Sequence, residues 1–210
     1  MTATHRIATL LLLSITLILL LACGSAQTPQ LPLLSSDARV LAFGDSLTSG
    51  TGSGEANAAY PAMLAERISR PVLNAGVPGE ESATGLRRLP EILDREKPDL
   101  LLLCHGGNDL LRSRDEDQLR DNLRQMVDYA HDRDIPVVLI AVPARALPLR
   151  PASLYQELAE ELEIPLLKST VSDILRDSAL RADPIHPNSA GYAQLAEALH
   201  DLLVDTGAVN

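Results

Sequence analysis

Ser46, Asp183 and His186 are the residues of this chain whose types and spacing best suit covalent chemistry. A serine hydroxyl is a weak nucleophile until a base takes its proton. His186 suits that task because imidazole titrates near neutral pH. Asp183 precedes it by three residues. Over that distance a carboxylate reaches the Nδ1 side of the ring and leaves Nε2 for the serine, which sets the tautomer and stabilises the imidazolium. Such a trio would transfer an acyl group through an acyl-serine. Serine also favours helix caps, and taken alone Ser46 is open to that blander role.

The other candidates are weaker. Asp45 adjoins Ser46 directly, which points its carboxylate elsewhere; Asp45 and Asp109 read as loop braces. His131 and His200 are expected near helix ends, where a cation offsets the dipole. His105 ends an apolar run close to the expected site, as a possible pocket-lining residue that tunes acyl or leaving-group contacts, but no carboxylate is fixed beside it as Asp183 is beside His186. Gly50, Gly52 and Gly54 carry no following Lys for a P-loop and do not match the dinucleotide fingerprint; they read as a mobile rim beside Ser46. No cluster has metal-ligand spacing, and no cofactor is expected. The block Gly44-Asp45-Ser46-Leu47-Thr48 lacks the second glycine of the classical hydrolase elbow.

The elements that would hold these residues alternate along the chain. Val40–Phe43, Val72–Ala75, Leu100–Cys104, Val137–Ala141 and Pro165–Leu167 are short apolar runs of the kind buried on both faces of a parallel sheet. Between and after them, Leu119, Leu123, Met126, Val127 and Ala130 keep helical spacing, as do Leu154, Leu158 and Leu162, and Leu195, Leu199, Leu202 and Leu203. Pro61 suits the first turn of a helix from about Tyr60 to Ile68. Five such units imply an α/β fold, a three-layer α/β/α sandwich with a five-stranded parallel sheet. Ligands in such sheets bind outside the carboxyl ends of the strands. Ser46, Gly76 to Gly79 and Gly106 to Asp109 all follow apolar runs, and Asp183 to His186 precede the last helix.

Four ordered blocks, Gly44 to Leu47, Gly79, Gly106 to Asp109 and Asp183 to His186, resemble the SGNH or GDSL hydrolase family over about Val40 to Leu203. The segment Gly106-Gly107-Asn108-Asp109-Leu110-Leu111-Arg112 is most similar to its bacterial multifunctional group with thioesterase, lysophospholipase and arylesterase activities. The resemblance implies a flavodoxin-like sandwich and a serine esterase acting on carboxylic esters or thioesters. It implies that Ser46, Asp183 and His186 form the triad, and that the oxyanion donors are the Ser46 and Gly79 N–H groups and the Asn108 amide. Gly79 allows close approach to the backbone, and Asn108 donates without a charge to desolvate. Carbohydrate O-deacetylation belongs to the same family, and an acyl-binding lipoprotein without turnover is a further alternative.

Composition narrows the partners. The chain has 18 Lys and Arg against 28 Asp and Glu, a net charge of −10. With no basic run it is a poor nucleic-acid binder, and a small acyl ester or thioester is the expected partner. Aromatic residues make up 2 % of the chain with no Trp, which tips the substrate from sugars, whose sites use flat aromatic faces, toward acyl chains. The stretch Ala141 to Leu154, with Pro143, Pro148, Pro151 and several aliphatics, suits either an acyl-binding rim or an ordinary packed loop. Cys104 reads as a buried core residue.

The N-terminus has its own logic. His5 and Arg6 precede the apolar run Ile7 to Leu21, which ends in Leu20-Leu21-Ala22-Cys23. This pattern resembles a bacterial lipobox, so residues 1–22 are expected as a lipoprotein signal peptide and Cys23 as the lipidated residue. Residues 23–38 follow as a tether, and residues 39–210 as the hydrolase domain. The expected location is outside the cytoplasm, anchored to a membrane by lipid and facing the periplasm or the cell exterior.

Overall fold

The computed structural model describes residues 28–210. The expected signal peptide and Cys23 lie outside the described residues. Five strands form one parallel sheet in the order β2-β1-β3-β4-β5: β1 Val40–Gly44, β2 Val72–Gly76, β3 Leu100–Cys104, β4 Val137–Ile140 and β5 Leu166–Leu167. Each lies within a residue or two of an apolar run. Every residue of β1, β3 and β4 is buried, the consequence of helices covering both faces. The edge strand β2 is only half-buried and exposes Asn74.

Eight helices are found among the described residues: α1 Ser46–Ser49, α2 Tyr60–Ile68, α3 Ser82–Glu96, α4 Gly107–Leu111, α5 Glu116–His131, α6 Ser153–Glu161, α7 Thr170–Arg176 and α8 Ser189–Asp205. The main packing pairs are α2 with α8, and α3 with α5. Together with the sheet these build the three layers. Leu119, Leu123, Met126, Val127 and Ala130 form the buried stripe of α5, and Leu195, Leu199 and Leu203 that of α8. No helix among the described residues is long and apolar enough to cross a membrane.

The C-terminal part of the stretch expected as a tether lies against the domain. Leu31 N–H donates to Thr206 O at 2.8 Å, and Leu34 N–H to Ala208 O at 2.9 Å. Arg70 donates to Leu34 O and Ser35 O, and Leu34 and Ala38 are buried. Pro32 to Ser35 run beside Lys97 to Asp99 and Asp134 to Pro136, which lead into the amino ends of β3 and β4. Hydrogen bonds to its main chain and the buried Leu34 and Ala38 hold this belt, so it carries none of the periodicity that marks a helix or strand.

Candidate active site

The carboxyl end of β1 delivers Ser46 as the first residue of α1. The cap of that helix is Asp45, whose Oδ1 accepts from Leu47 N–H at 3.1 Å. The capping role left open for Ser46 therefore belongs to its neighbour, and the Ser46 hydroxyl is free for another partner. That partner is His186, across 140 positions of sequence: Ser46 Oγ lies 3.0 Å from Nε2. Nδ1 of the same ring lies 2.8 Å from Asp183 Oδ2. A carboxylate only accepts, so Nδ1 carries the proton and Nε2 is left as the acceptor for the serine hydroxyl. Asp183 Oδ1 accepts from the N–H groups of Ile185 and His186 at 2.8 and 2.9 Å. Burial pushes the Asp183 carboxyl up, but the bond from the His186 ring and those from the backbone outweigh it and hold it below the usual carboxylate range.

Asn108, in the first turn of α4, turns its amide nitrogen toward two acceptors. It donates to Glu80 O at 3.0 Å and faces Asp45 Oδ2 at 3.3 Å, beyond the usual range for such a bond. Gly79 has a left-handed backbone with φ +77°. Neither the Ser46 nor the Gly79 N–H has an acceptor within the described chain. Burial pushes the Asp45 carboxyl up. Asp109 is a brace: its two oxygens accept from Ser82 N–H and Oγ at 2.9 and 2.6 Å.

A cavity of about 480 Å³ opens beside Ser46, His186 and Asn108, within the usual range for small-molecule sites. Its far walls are mostly aliphatic: Leu110 and Leu111 from α4, Val142, Ala144, Ala146, Leu147 and Leu149 from the loop after β4, Leu175 from α7, and Ile185, with Arg145 the one charged residue among them. The loop after β4 folds back on itself through the Pro143–Pro151 bridge and the bond from Ala144 N–H to Arg150 O. Residues of that loop border the cavity beside Ser46. Gly79 does not line the cavity; it joins the site through Glu80, its neighbour.

Three expectations are corrected. His105 is wholly buried and absent from the cavity wall. Its Nε2 meets Glu80 Oε2 at 3.1 Å and its Nδ1 accepts from Gly106 N–H at 3.0 Å, so it does have a fixed carboxylate. His200 lies within α8 beside Asp201, 3.2 Å away, rather than at a helix end; His131 does end α5. The glycine stretch is not a free rim at its centre: a Cβ on Gly52 would stand 2.6 Å from Pro187 O and 3.2 Å from His186 Cβ. That close approach seats the loop holding His186. Cys104 is buried, and burial pushes its thiol well up, so it is inert. Among the described residues no group of His, Cys, Asp and Glu could hold a metal ion. Sequence reasoning missed Glu80, whose one local signal is its place next to Gly79, and the cavity-lining Leu175 and Ile185.

Comparison with known proteins places the chain in a family. A profile of the GDSL-like lipase/acylhydrolase family matches residues 42–194. The thioesterase 1/protease 1/lysophospholipase L1 of Escherichia coli K12 is 34 % identical over 166 residues, covering 75 % of this chain and 79 % of that protein. Esterase TesA of Pseudomonas aeruginosa is 31 % identical over 174 residues, covering 75 % and 84 %. Among solved structures, TesA superposes with a TM-score of 0.71 at 29 % identity, covering 79 % of this chain and 97 % of the other. AlinE4, an SGNH-hydrolase family esterase, gives 0.63 at 29 % identity, covering 81 % and 97 %. The profile match runs from within β1 to the first turns of α8 and spans Ser46, Gly79, Asn108, Asp183 and His186: the chain belongs to the GDSL-like lipase/acylhydrolase family.

Proposed function

We propose that this protein is a serine esterase that hydrolyses carboxylic esters or thioesters through an acyl-Ser46 intermediate. The observation that carries the reading is the run of contacts from Ser46 Oγ to His186 Nε2 at 3.0 Å and from Nδ1 to Asp183 at 2.8 Å, opening on an aliphatic cavity. Ser46 Oγ attacks the acyl carbon while its proton passes to Nε2, and Asp183 stabilises the imidazolium so formed. The carbonyl oxygen becomes an oxyanion, bound by the N–H groups of Ser46 and Gly79 and by the Asn108 amide. As the carbon–oxygen or carbon–sulfur bond breaks, the imidazolium returns its proton to the leaving alcohol or thiol. Water then repeats the sequence on the acyl-enzyme and frees the acid.

An acyl chain suits the cavity better than a sugar. Phe43, Tyr60, Tyr155 and Tyr192 are buried in the core, and among the described residues no Phe, Tyr or Trp lines the cavity. The names of the relatives, thioesterase, lysophospholipase and esterase, support the same class. Fluorophosphonate labelling together with p-nitrophenyl ester turnover tests the reading. Both should occur in the native protein and both should be abolished in Ser46→Ala; full turnover by that variant would remove Ser46 from the mechanism.

The proposed location rests on the sequence alone. Arg6, the run Ile7 to Leu21 and Leu20-Leu21-Ala22-Cys23 support export and lipidation at Cys23, with the domain held on the outer side of a membrane. Metabolic labelling with palmitate tests this: label should enter the native chain, and label retained in Cys23→Ala would overturn it.

A further inference from the structure

Glu80, His105 and Arg88 form a polar cluster behind the candidate oxyanion loop, and the mechanism above uses none of them. The Glu80 side chain is 3 % exposed and that of His105 is fully buried. Glu80 Oε1 accepts from Arg88 Nε at 3.0 Å, and Oε2 accepts from the Arg88 guanidinium at 2.6 Å and from His105 Nε2 at 3.1 Å. His105 Nδ1 accepts from Gly106 N–H, which leaves Nε2 as the nitrogen that donates to Glu80. Arg88 also donates to Ala75 O at 3.1 Å and lies over the Phe43 ring, 4.2 Å from its centre. The cluster thus joins the ends of β1, β2 and β3 to α3. Gly85 on α3 leaves room for it, since a Cβ there would stand 2.4 Å from His105 Nε2.

A buried ion pair is a weak stabiliser, because desolvation offsets most of its attraction. What it does supply is direction. Glu80 adjoins Gly79, and its own carbonyl takes one of the two Asn108 amide protons. The second proton is left with only the long 3.3 Å contact to Asp45, free to turn to an oxyanion. The one residue therefore locates the peptide bearing the Gly79 N–H, through its side chain, and orients the Asn108 amide, through its carbonyl. His105 ties both to β3 three residues before Asn108.

We propose that Glu80, held by His105 and Arg88, is a positioning residue that sets the Gly79 and Asn108 donors in register for the oxyanion. It touches neither substrate nor reacting atoms. The inference rests on the oxyanion assignment of the proposed function, and Asn108→Ala is measured alongside to separate the two.

The test is a graded series, native, Glu80→Gln and Glu80→Ala, assayed on p-nitrophenyl butyrate. A glutamine keeps one acceptor oxygen where His105 and Arg88 require two, so kcat should fall in that order. Glu80→Ala should lie about 10- to 100-fold below native, short of the roughly 10²–10³ for loss of a whole donor in Asn108→Ala. KM should change less than about twofold, since the interaction strengthens only in the transition state. A trifluoromethyl ketone, which forms a tetrahedral oxyanion on the serine, should lose affinity in step with kcat, while butyrate binding stays flat. A purely structural role would lower the thermal midpoint and leave kcat per folded molecule and ketone affinity untouched, and that result overturns the proposal. If Glu80→Ala does not fold, the isosteric Glu80→Gln carries the test on the same two readouts. Native kcat in the Glu80 variants beside a large loss in Asn108→Ala sinks this inference and leaves the esterase reading standing. Native kcat in Asn108→Ala removes the oxyanion assignment and this inference with it.

Discussion

Asp183 grips His186 with both carboxylate oxygens: Oδ2 faces the ring Nδ1 at 2.8 Å, and Oδ1 accepts from the His186 backbone N–H at 2.9 Å. The same side chain therefore shapes the loop and sets the tautomer. The two jobs separate in Asp183→Asn. The amide oxygen keeps the bonds to the Ile185 and His186 N–H groups, while the amide nitrogen faces Nδ1 and favours a proton on Nε2, where the base must be bare. We predict an unchanged thermal midpoint and a fall in kcat of roughly 10³–10⁴, the scale of a wrong tautomer in a serine triad. Circular dichroism melting and p-nitrophenyl ester kinetics measure both. A kcat within tenfold of native would show that Asp183 serves the loop alone.

The aliphatic walls of the cavity predict a dependence on chain length. Each methylene that leaves water contributes about 0.8 kcal/mol, so kcat/KM should climb by up to about fourfold per added carbon until the cavity is full. Ala146 lines the cavity from the loop after β4. In Ala146→Trp the climb should stop several carbons earlier, with acetate and butyrate esters little affected. A series of p-nitrophenyl esters from two to twelve carbons reads this directly; parallel profiles for the two proteins would place the acyl chain elsewhere.

The strands and the Asp183–His186 pair are legible in the sequence because their signals are local. Burial on both faces makes β1, β3 and β4 read as unbroken Val, Leu and Ile runs, and Asp183 and His186 sit within one turn of chain. Helix α3 was not singled out. It carries Pro90 in its interior and Gly85 near its start, two residues that read as breakers, although the glycine is what His105 demands. The Glu80 cluster is silent for another reason: its members lie 8 and 25 positions apart and meet only once the strands are aligned. The cavity likewise draws on α4, α7 and two loops, none of which marks itself as a wall. Leu31 to Ala38, inside the stretch expected as a tether, dock largely through their main-chain groups, which no side-chain pattern reports.

That belt gives a stability prediction free of catalytic effects. Leu34 is 6 % exposed and lies at the amino ends of the strands, opposite the edge that carries Ser46. Leu34→Ala should cost about 2–4 kcal/mol and lower the thermal midpoint by roughly 5–15 °C for a domain of this size. The kcat of the folded protein at 25 °C should be unchanged. Native melting in the variant would mean that the belt is held only loosely and that the domain begins near Arg39.

The carboxyl of Glu80 predicts a pH dependence of stability whose sign can be worked out. Burial alone would raise it, but the hydrogen bonds from His105 and Arg88 and the Arg88 charge prevail and lower it from 4.5 to about 2. A carboxyl depressed in the folded state favours folding wherever the unfolded chain is already ionised, and loses that contribution as pH falls through the folded value. The stabilisation should be full above about pH 5, decline below about pH 4.5, and vanish near pH 2. Glu80→Gln has no such group. Other depressed carboxyls, Asp183 and Asp94 among them, are common to both proteins and cancel. The difference in thermal midpoint between native and Glu80→Gln should therefore be widest at pH 6–7 and close progressively toward pH 2.5. A gap that stays constant over that range would mean that the variant loses packing or geometry rather than a charge held by Arg88 and His105.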